Sequence, residues 1–195
     1  MTSIKPIIIS FFEYAKTNKI EIYNEFSFQH ELGVFLREKM DGYKVQFERN
    51  VSDFEIGGTI KKEIDIVVLN PAKKEKFAIE LKYPRNGQYP EQMYSFVKDI
   101  KFMEQLQRHH GFQHTYCLVL VDDPLFHSGS MTEGIYKHFR GENRVYGCIN
   151  KPTGKGKDDK RVELEGEHLI SWEDAEVFVD KSEKPKKCKY YCIEF

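Results

Sequence analysis

Three charged residues lie inside two stretches of sequence that are otherwise apolar. Asp65 lies within EIDIVVL (residues 63–69), and Glu80 and Lys82 lie within KFAIELKY (residues 76–83). Side chains alternate between the two faces of a strand, so Glu80 and Lys82 point the same way. A carboxylate in apolar surroundings persists only when it is paired or binds a cation. These three residues are therefore the first candidates for chemistry.

If the two stretches lie side by side, two carboxylates and one ammonium group converge. The carboxylates of Asp65 and Glu80 suit a hard divalent cation such as Mg²⁺, which prefers oxygen ligands. A lysine beside such a metal can orient or deprotonate a water molecule, or stabilise a developing charge. Together these groups favour metal-assisted hydrolysis of a phosphodiester. A structural ion-pair network of the same residues is the alternative interpretation.

The pattern of apolar residues predicts two helices ahead of the first strand. A short helix is predicted within residues 1–22, and a second runs from a cap at Asn24 or Ser27 to about Met40. The buried face of the second helix is marked by apolar residues at helical spacing: Phe28, Leu32, Phe35 and Leu36.

Three strands, a helix and a fourth strand are predicted next. Residues 43–49 alternate, and the short turn at 70–72 makes strands 63–69 and 76–83 an antiparallel hairpin. A helix from about Glu91 to His109 and a central strand at 115–121 follow. Because this order mixes a hairpin with a crossover helix, it predicts an α/β fold with a mixed central sheet flanked by helices.

The patterns beyond residue 124 are less regular. They predict a helix at 131–139, a loop rich in glycine and lysine at 151–159, and extra C-terminal strands at 145–149, 162–164, 169–170 and 188–195. The length fits one domain over residues 1–195, with a core at about 24–121 and additions at 125–195.

With the elements in this order, Asp65, fourteen further residues and then Glu80-Leu81-Lys82 resemble the signature of the PD-(D/E)XK nuclease superfamily. The resemblance covers about residues 24–121 and implies a restriction-endonuclease-like core, α-β-β-β-α-β. It implies that Asp65 and Glu80 hold Mg²⁺ (or Mn²⁺), that the Leu81 carbonyl is a further metal ligand, and that Lys82 is the catalytic lysine. The sequence departs from the family at Ile64, where a proline is usual.

Many members of the superfamily add a catalytic glutamate from the helix before the sheet. The resemblance favours Glu31, because its HELG context looks like that family position. Helical geometry favours Glu25 instead, since it lies closer to the apolar face of the helix. Three residues after the triplet are further candidates. Arg85 could contact substrate, and Gln92 could contact phosphate or water near the metal. The simpler interpretation of Gln92 is a solvent-facing residue at the start of the helix, and a functional role for Asp99 is weighed in the same way.

The resemblance implies a Mg²⁺-dependent nuclease that acts on nucleic acid, with DNA favoured as the substrate. A non-catalytic member of the same fold, binding nucleic acid or protein, is the alternative. The 30 basic and 31 acidic side chains exclude a polycation, but a local basic groove is enough for binding, and the lysine-containing segments 151–161 and 181–189 could line it.

The remaining expectations concern compartment and assembly. No apolar stretch reaches the length of about 18 residues that a membrane span needs, so no membrane partner is predicted. We expect the four cysteines to be reduced thiols, as is typical of a cytoplasmic protein. Many members of the superfamily act as homodimers, and this sequence marks no dimer face.

Overall fold

The computed structural model describes residues 3–154, 160–179 and 183–195. Its α-helices are α1 (Lys5–Thr17), α2 (Glu25–Lys39) and α3 (Tyr89–His110). Its strands are β1 (Lys44–Asn50), β2 (Glu63–Asn70), β3 (Glu75–Lys82), β4 (His114–Val121), β5 (Arg144–Asn150), β6 (Arg161–Leu169), β7 (Glu173–Val177) and β8 (Lys186–Glu194).

A six-stranded mixed sheet in the order β1-β2-β3-β4-β8-β7 forms the centre of the fold. Strands β3 and β4 are parallel, whereas the other neighbouring pairs are antiparallel. Parallel neighbours need a crossover connection, and α3 supplies it. The predicted α/β fold with a mixed central sheet flanked by helices is confirmed, as is the β2–β3 hairpin. Strands β5 and β6 form a separate two-stranded sheet.

Both faces of the central strands are buried, which explains their nearly continuous apolar sequences. On one face Ile66 and Ile79 join the core formed with α1 and α2. On the other face Val67 and Ala78 join the core formed with α3. Glu80 is a charged residue in this setting, and its exposed fraction is 0%.

Helix α2 is fixed tightly at its start and against the sheet. Asn24 Oδ1 accepts from Ser27 N at 2.8 Å and Ser27 Oγ accepts from Asn24 N at 3.1 Å, so both predicted cap residues take part in one capping box. At Gly33 an added Cβ would lie 2.2 Å from the ring of Phe47 on β1. This close approach requires glycine, and the cap places Glu25, the first residue of α2, near the end of β3.

The C-terminal third corrects two predictions and adds one strand that was not predicted. The helix predicted at 131–139 is wrong, because Gly134 adopts a left-handed φ of 59° and the chain forms a 3₁₀ turn at Gly134–Tyr136 and one π-helical turn at Lys137–Gly141. A separate strand at 169–170 is wrong, since Leu169 ends β6. Strand β7 was missed, because a highly charged edge strand lacks apolar alternation.

Residues 155–159 and 181–182, which are parts of the lysine-containing segments 151–161 and 181–189, lie outside the described residues. Of the helices in the described ranges, none combines the length and the apolar character required to cross a membrane.

Candidate active site

The candidate site lies where β2 and β3 stop pairing. The antiparallel register ends at Ile66 and Ile79, while β3 continues to pair with β4 up to its last residue. Beyond that point side-chain carboxylates replace the missing backbone acceptors. Leu81 N donates to Asp65 Oδ2 at 2.9 Å, and Asp65 N donates to Glu80 Oε1 at 3.3 Å. Each carboxylate is therefore fixed by a backbone amide, and the two predicted acidic residues meet.

Lys82, the third residue of the predicted set, reaches the same point. Its Nζ lies 3.1 Å from the carbonyl oxygen of Leu81, 3.0 Å from Glu25 Oε1 and 3.8 Å from Asp99 Oδ2. Burial alone would lower the pKa of Lys82, but the charges of Asp99 and Asp65 outweigh it and the pKa is raised. Lys82 is therefore a cation at neutral pH, able to donate hydrogen bonds.

A second cation, Lys61, completes the cluster and was missed by the sequence analysis. Its Nζ pairs with Glu80 Oε2 and, at 2.9 Å, with Asp99 Oδ1. Both carboxylates are buried, with exposed fractions of 0% and 1%. Burial would lower the pKa of Lys61, but Asp99 and Glu80 raise it above its ordinary value. Lys61 lies next to Lys62 in a segment predicted to be a loop, so nothing in its sequence context marks it as a functional residue.

The sequence does mark Asp99 as unusual, because its neighbours on the same face of α3 are apolar. The buried face of α3 includes Phe96, Ile100 and Met103, and Asp99 lies one helical turn after the first and one before the last. A charged residue on that face needs a partner, and Asp99 finds Lys61. Its other oxygen, Oδ2, has no hydrogen-bond partner among the described residues.

The carboxylates of the cluster repel one another and are strongly desolvated. Burial raises the pKa of Asp65 to about 6, against the opposing effect of Lys82 and Lys61. Burial, Asp65 and Asp99 likewise raise the pKa of Glu80. If all groups were ionised, the carboxylates of Asp65, Glu80, Asp99 and Glu25 would outnumber the two lysines by two. In that fully ionised state the cluster would carry an excess of negative charge that a divalent cation would match.

Of the two glutamates considered on α2, the structure brings Glu25 to the cluster. Glu25 Oε1 accepts from Lys82 Nζ. Within the described residues, no hydrogen bond or ion pair joins Glu31 to the cluster; instead burial, Glu38 and Glu31 together raise the pKa of Tyr14 on α1. The choice from helical geometry thus matches the observed placement, whereas the choice from the HELG context does not.

Gln29, a residue that was not predicted, ties α2 to both neighbouring strands. Its Nε2 donates to the carbonyl oxygen of Asp65 at 2.7 Å and to Glu48 Oε1 at 2.5 Å. Glu48 lies between two paired positions of the β1–β2 register, Phe47↔Ile66 and Arg49↔Ile64, and has a left-handed φ of 48°. Such a conformation costs a non-glycine residue roughly 1–3 kcal/mol. The surrounding contacts maintain this strained backbone beside Asp65.

Arg85 and Gln92 lie beyond the end of β3 and contact other partners. Arg85 donates to Tyr83 Oη at 2.8 Å and pairs with Asp122, and Arg85 and Asp122 line a surface cleft. Gln92 Nε2 donates to Asn86 Oδ1 at 3.2 Å. Their contacts with substrate stay a prediction.

Within the described ranges, no group of three or more His, Cys, Asp or Glu side chains is placed to hold a metal ion. At the cluster itself, the Lys61 ammonium lies between Glu80 and Asp99. Comparison of the chain with models of protein families, with curated proteins and with solved structures gives no match. The fold and the site define an α/β protein with a buried carboxylate–lysine cluster where two strands of its sheet diverge.

Proposed function

We propose that this protein is a metal-dependent nuclease of the PD-(D/E)XK type that hydrolyses phosphodiester bonds in nucleic acid, with DNA as the favoured substrate. The observation that carries the proposal is the meeting of Asp65, Glu80 and Lys82 at one point of the sheet. Placing three charges together in a largely buried position is costly, and a purely structural role would be served as well by apolar residues.

The order of elements supports a restriction-endonuclease-like fold. Helix α2, strands β1, β2 and β3, helix α3 and strand β4 follow one another in the order α-β-β-β-α-β that the resemblance implies. The four strands are also neighbours in this order within the sheet. The proposed site lies at the divergence of β2 and β3, the two strands that carry the motif.

The donor atoms fit a hard divalent cation. Asp65, Glu80 and the carbonyl of Leu81 offer oxygen ligands of the kind that Mg²⁺ and Mn²⁺ prefer. The Oδ2 atom of Asp99, buried without a hydrogen-bond partner among the described residues, is a further oxygen at the same cluster. When bound, the ion would supply positive charge that polarises a phosphoryl oxygen and acidifies a water molecule.

The chain's own groups would orient the reactants. Lys82 Nζ, protonated and held by Glu25, would donate a hydrogen bond to the attacking water or to a phosphate oxygen. Asp65 and Glu80 would fix the position of the cation through their backbone contacts to each other's strands. Such positioning by rigid strands can supply a large part of a rate enhancement.

The test is a cleavage assay with the wild type, Asp65→Asn and the control Glu63→Gln. Glu63 is an exposed carboxylate on the same strand, so its replacement changes charge without touching the cluster. Each protein is incubated with single- and double-stranded DNA and RNA in Mg²⁺, Mn²⁺ or EDTA. We expect metal-dependent cleavage by the wild type and Glu63→Gln, and none by folded Asp65→Asn. Full cleavage by Asp65→Asn would contradict the proposed mechanism.

A non-catalytic nucleic-acid-binding role is the second candidate, favoured by one observation. Lys61 already pairs with Glu80 and Asp99, which gives these carboxylates a cation from within the chain. In that case the cluster would be a stable ion-pair network whose lysines face the ligand's phosphates. Tight binding of nucleic acid that is the same in Mg²⁺ and EDTA, without any product, would favour this role.

A further inference from the structure

Lys61 lies where the cluster has its most buried negative charge. Its Nζ pairs with Glu80 Oε2 and lies 2.9 Å from Asp99 Oδ1, so one ammonium group bridges two carboxylates. Asp99 belongs to α3 and Glu80 to β3, which makes Lys61 the cationic link between the helix and the strand. A divalent cation held by the same two carboxylates would have to take this position.

We propose that Lys61 is an internal counter-ion that competes with the divalent cation for Glu80 and Asp99, so that the metal binds only when Lys61 withdraws. The inference rests on the proposed metal-dependent function. It explains why carboxylates of suitable chemistry are assembled although the described structure presents no ready three-ligand site. It also assigns a role to Asp99, which belongs to neither the motif nor the hairpin.

Charge balance makes the exchange favourable. Lys61 contributes one positive charge to a cluster in which the carboxylates are in excess. A divalent cation contributes two charges at the same position and can also use the Oδ2 atom of Asp99, which lacks a hydrogen-bond partner among the described residues. Without the ion, Lys61 relieves the repulsion that raises the pKa of Glu80.

The segment that carries Lys61 is loosely packed between two anchors, the buried side chain of Ile56 and the carbonyl oxygen of Lys62, which accepts from Val51 N at 2.8 Å. Residues 55–62 connect a 3₁₀ turn to β2, and within them Gly57 and Gly58 have no neighbouring atom within 4 Å of an added Cβ. Gly58 has a φ of +74°, which a glycine adopts at little cost. Upstream of Lys61 the segment is fixed to α3 by one hydrogen bond, from Ile60 N to Gln105 Oε1 at 2.9 Å.

Binding of Mn²⁺ to the wild type, Lys61→Gln and Lys62→Gln tests the proposal without reference to activity. Lys62 is the exposed neighbour, so Lys62→Gln makes the same change of charge outside the cluster. We expect calorimetric titration to show an apparent Mn²⁺ affinity about tenfold or more higher in Lys61→Gln, because the competing state is removed. Lys62→Gln should bind like the wild type. Without metal, Lys61→Gln should melt at a lower temperature.

The outcomes separate this inference from the proposed function. If the wild type binds Mn²⁺ and Lys61→Gln binds it equally or more weakly, Lys61 is not a competitor, and the proposed metal-dependent function stands. If Mn²⁺ binds to neither protein, the cation site does not exist and both proposals fail. Binding by Lys61→Gln alone would support the inference most strongly.

A measurement on the wild type decides the matter if Lys61→Gln does not fold. Withdrawal of Lys61 should release the amide of Ile60 from Gln105. Hydrogen exchange of the Ile60 amide should therefore be faster in saturating Mn²⁺ than in EDTA. Unchanged or slower exchange would overturn the proposal.

Discussion

Glu25 and Lys82 lie 57 residues apart in the sequence, and Lys82 Nζ donates to Glu25 Oε1 over 3.0 Å. The second carboxylate oxygen of Glu25 accepts from Tyr83 N at 3.2 Å. Since Glu25 opens α2 directly after its Asn24 cap, the start of this helix fixes the end of β3 and the orientation of its lysine. Glu25 is thus a positioning residue for Lys82.

We expect Glu25→Gln to lower the rate of metal-dependent cleavage by about 10-fold to 100-fold, the usual cost of losing a partner that orients a functional group. Glu31→Gln, on the same helix, is the matched control and should leave the rate unchanged. Cleavage rates of both variants on one substrate give the comparison. If Glu31→Gln were the more damaging change, the HELG context would have identified the functional glutamate.

Local pattern was enough to find strands β1 to β4 and the central motif. Asp65, Glu80 and Lys82 interrupt short apolar runs, so their burial is visible from their immediate neighbours. The mixed sheet followed from the hairpin signal at 70–72 and the crossover helix. In contrast, β7 is an edge strand whose exposed charged residues hide it, and the turns at 134–141 depend on tertiary contacts.

The other members of the cluster arrive through tertiary structure. Lys61 reaches Glu80 from a segment without regular pattern, and Gln29 reaches the carbonyl of Asp65 across 36 positions of sequence. Neither contact has a signature in its own neighbourhood. Asp99 is only partly predictable from the sequence. Its position on the apolar face of α3 predicts that it is buried, but it does not predict which residue pairs with it.

The raised pKa of Asp65 predicts a specific dependence of stability on pH. The pKa rises from the ordinary 3.8 to about 6, chiefly through burial, so the folded state holds this proton more tightly than the unfolded chain. Between these two values stability therefore falls as the pH rises, and the loss is complete above the folded pKa. In EDTA, Asp65→Asn should melt at a higher temperature than the wild type at pH 7, and the difference should shrink below pH 3.8. A variant that melts lower at pH 7 would mean that ionised Asp65 stabilises the fold.

Metal binding should depend on pH for the same reason, in the opposite direction. A carboxylate must be deprotonated to ligate a cation, so protons compete with Mn²⁺ at Asp65. The apparent affinity should weaken as the pH falls below about 6, the pKa of this group. Calorimetric titration across this range measures the effect. Affinity that does not change with pH would show that Asp65 is not a ligand.

Gly33 on α2 should tolerate no side chain. An added Cβ would lie 2.2 Å from the Phe47 ring, so either this ring or the helix would have to shift. We expect Gly33→Ala to lower the free energy of unfolding by about 1–3 kcal/mol, the usual cost of overpacking. Gly57→Ala, where an added Cβ meets nothing within 4 Å, is the control and should be close to neutral. Denaturant unfolding of both variants would reveal the contrast, and equal stability would mean that the ring or the helix shifts easily.

Glu104 on α3 connects the helix to β6 and predicts a second dependence of stability on pH. It is buried, and its carboxylate accepts from the backbone amides of Glu165 and Gly166 and from His168 Nε2 at 2.7 Å. Burial would raise the pKa of Glu104, but these hydrogen bonds outweigh it, His168 first, and the pKa is lowered from 4.5. Because the ionised form is favoured in the folded state, its contribution to stability is present above pH 4.5 and is lost as the pH falls through the folded pKa.

Glu104→Gln should therefore destabilise the protein at pH 7 by about 1–3 kcal/mol, since one side-chain amide cannot accept all of these hydrogen bonds. Below pH 4.5 the wild type loses the same contribution, and the two stability curves should converge. Glu163→Gln, an exposed carboxylate on the same strand as the amides, should follow the wild type at every pH. Parallel curves for Glu104→Gln and the wild type down to low pH would show that packing of the side chain, rather than its charge, joins β6 to α3.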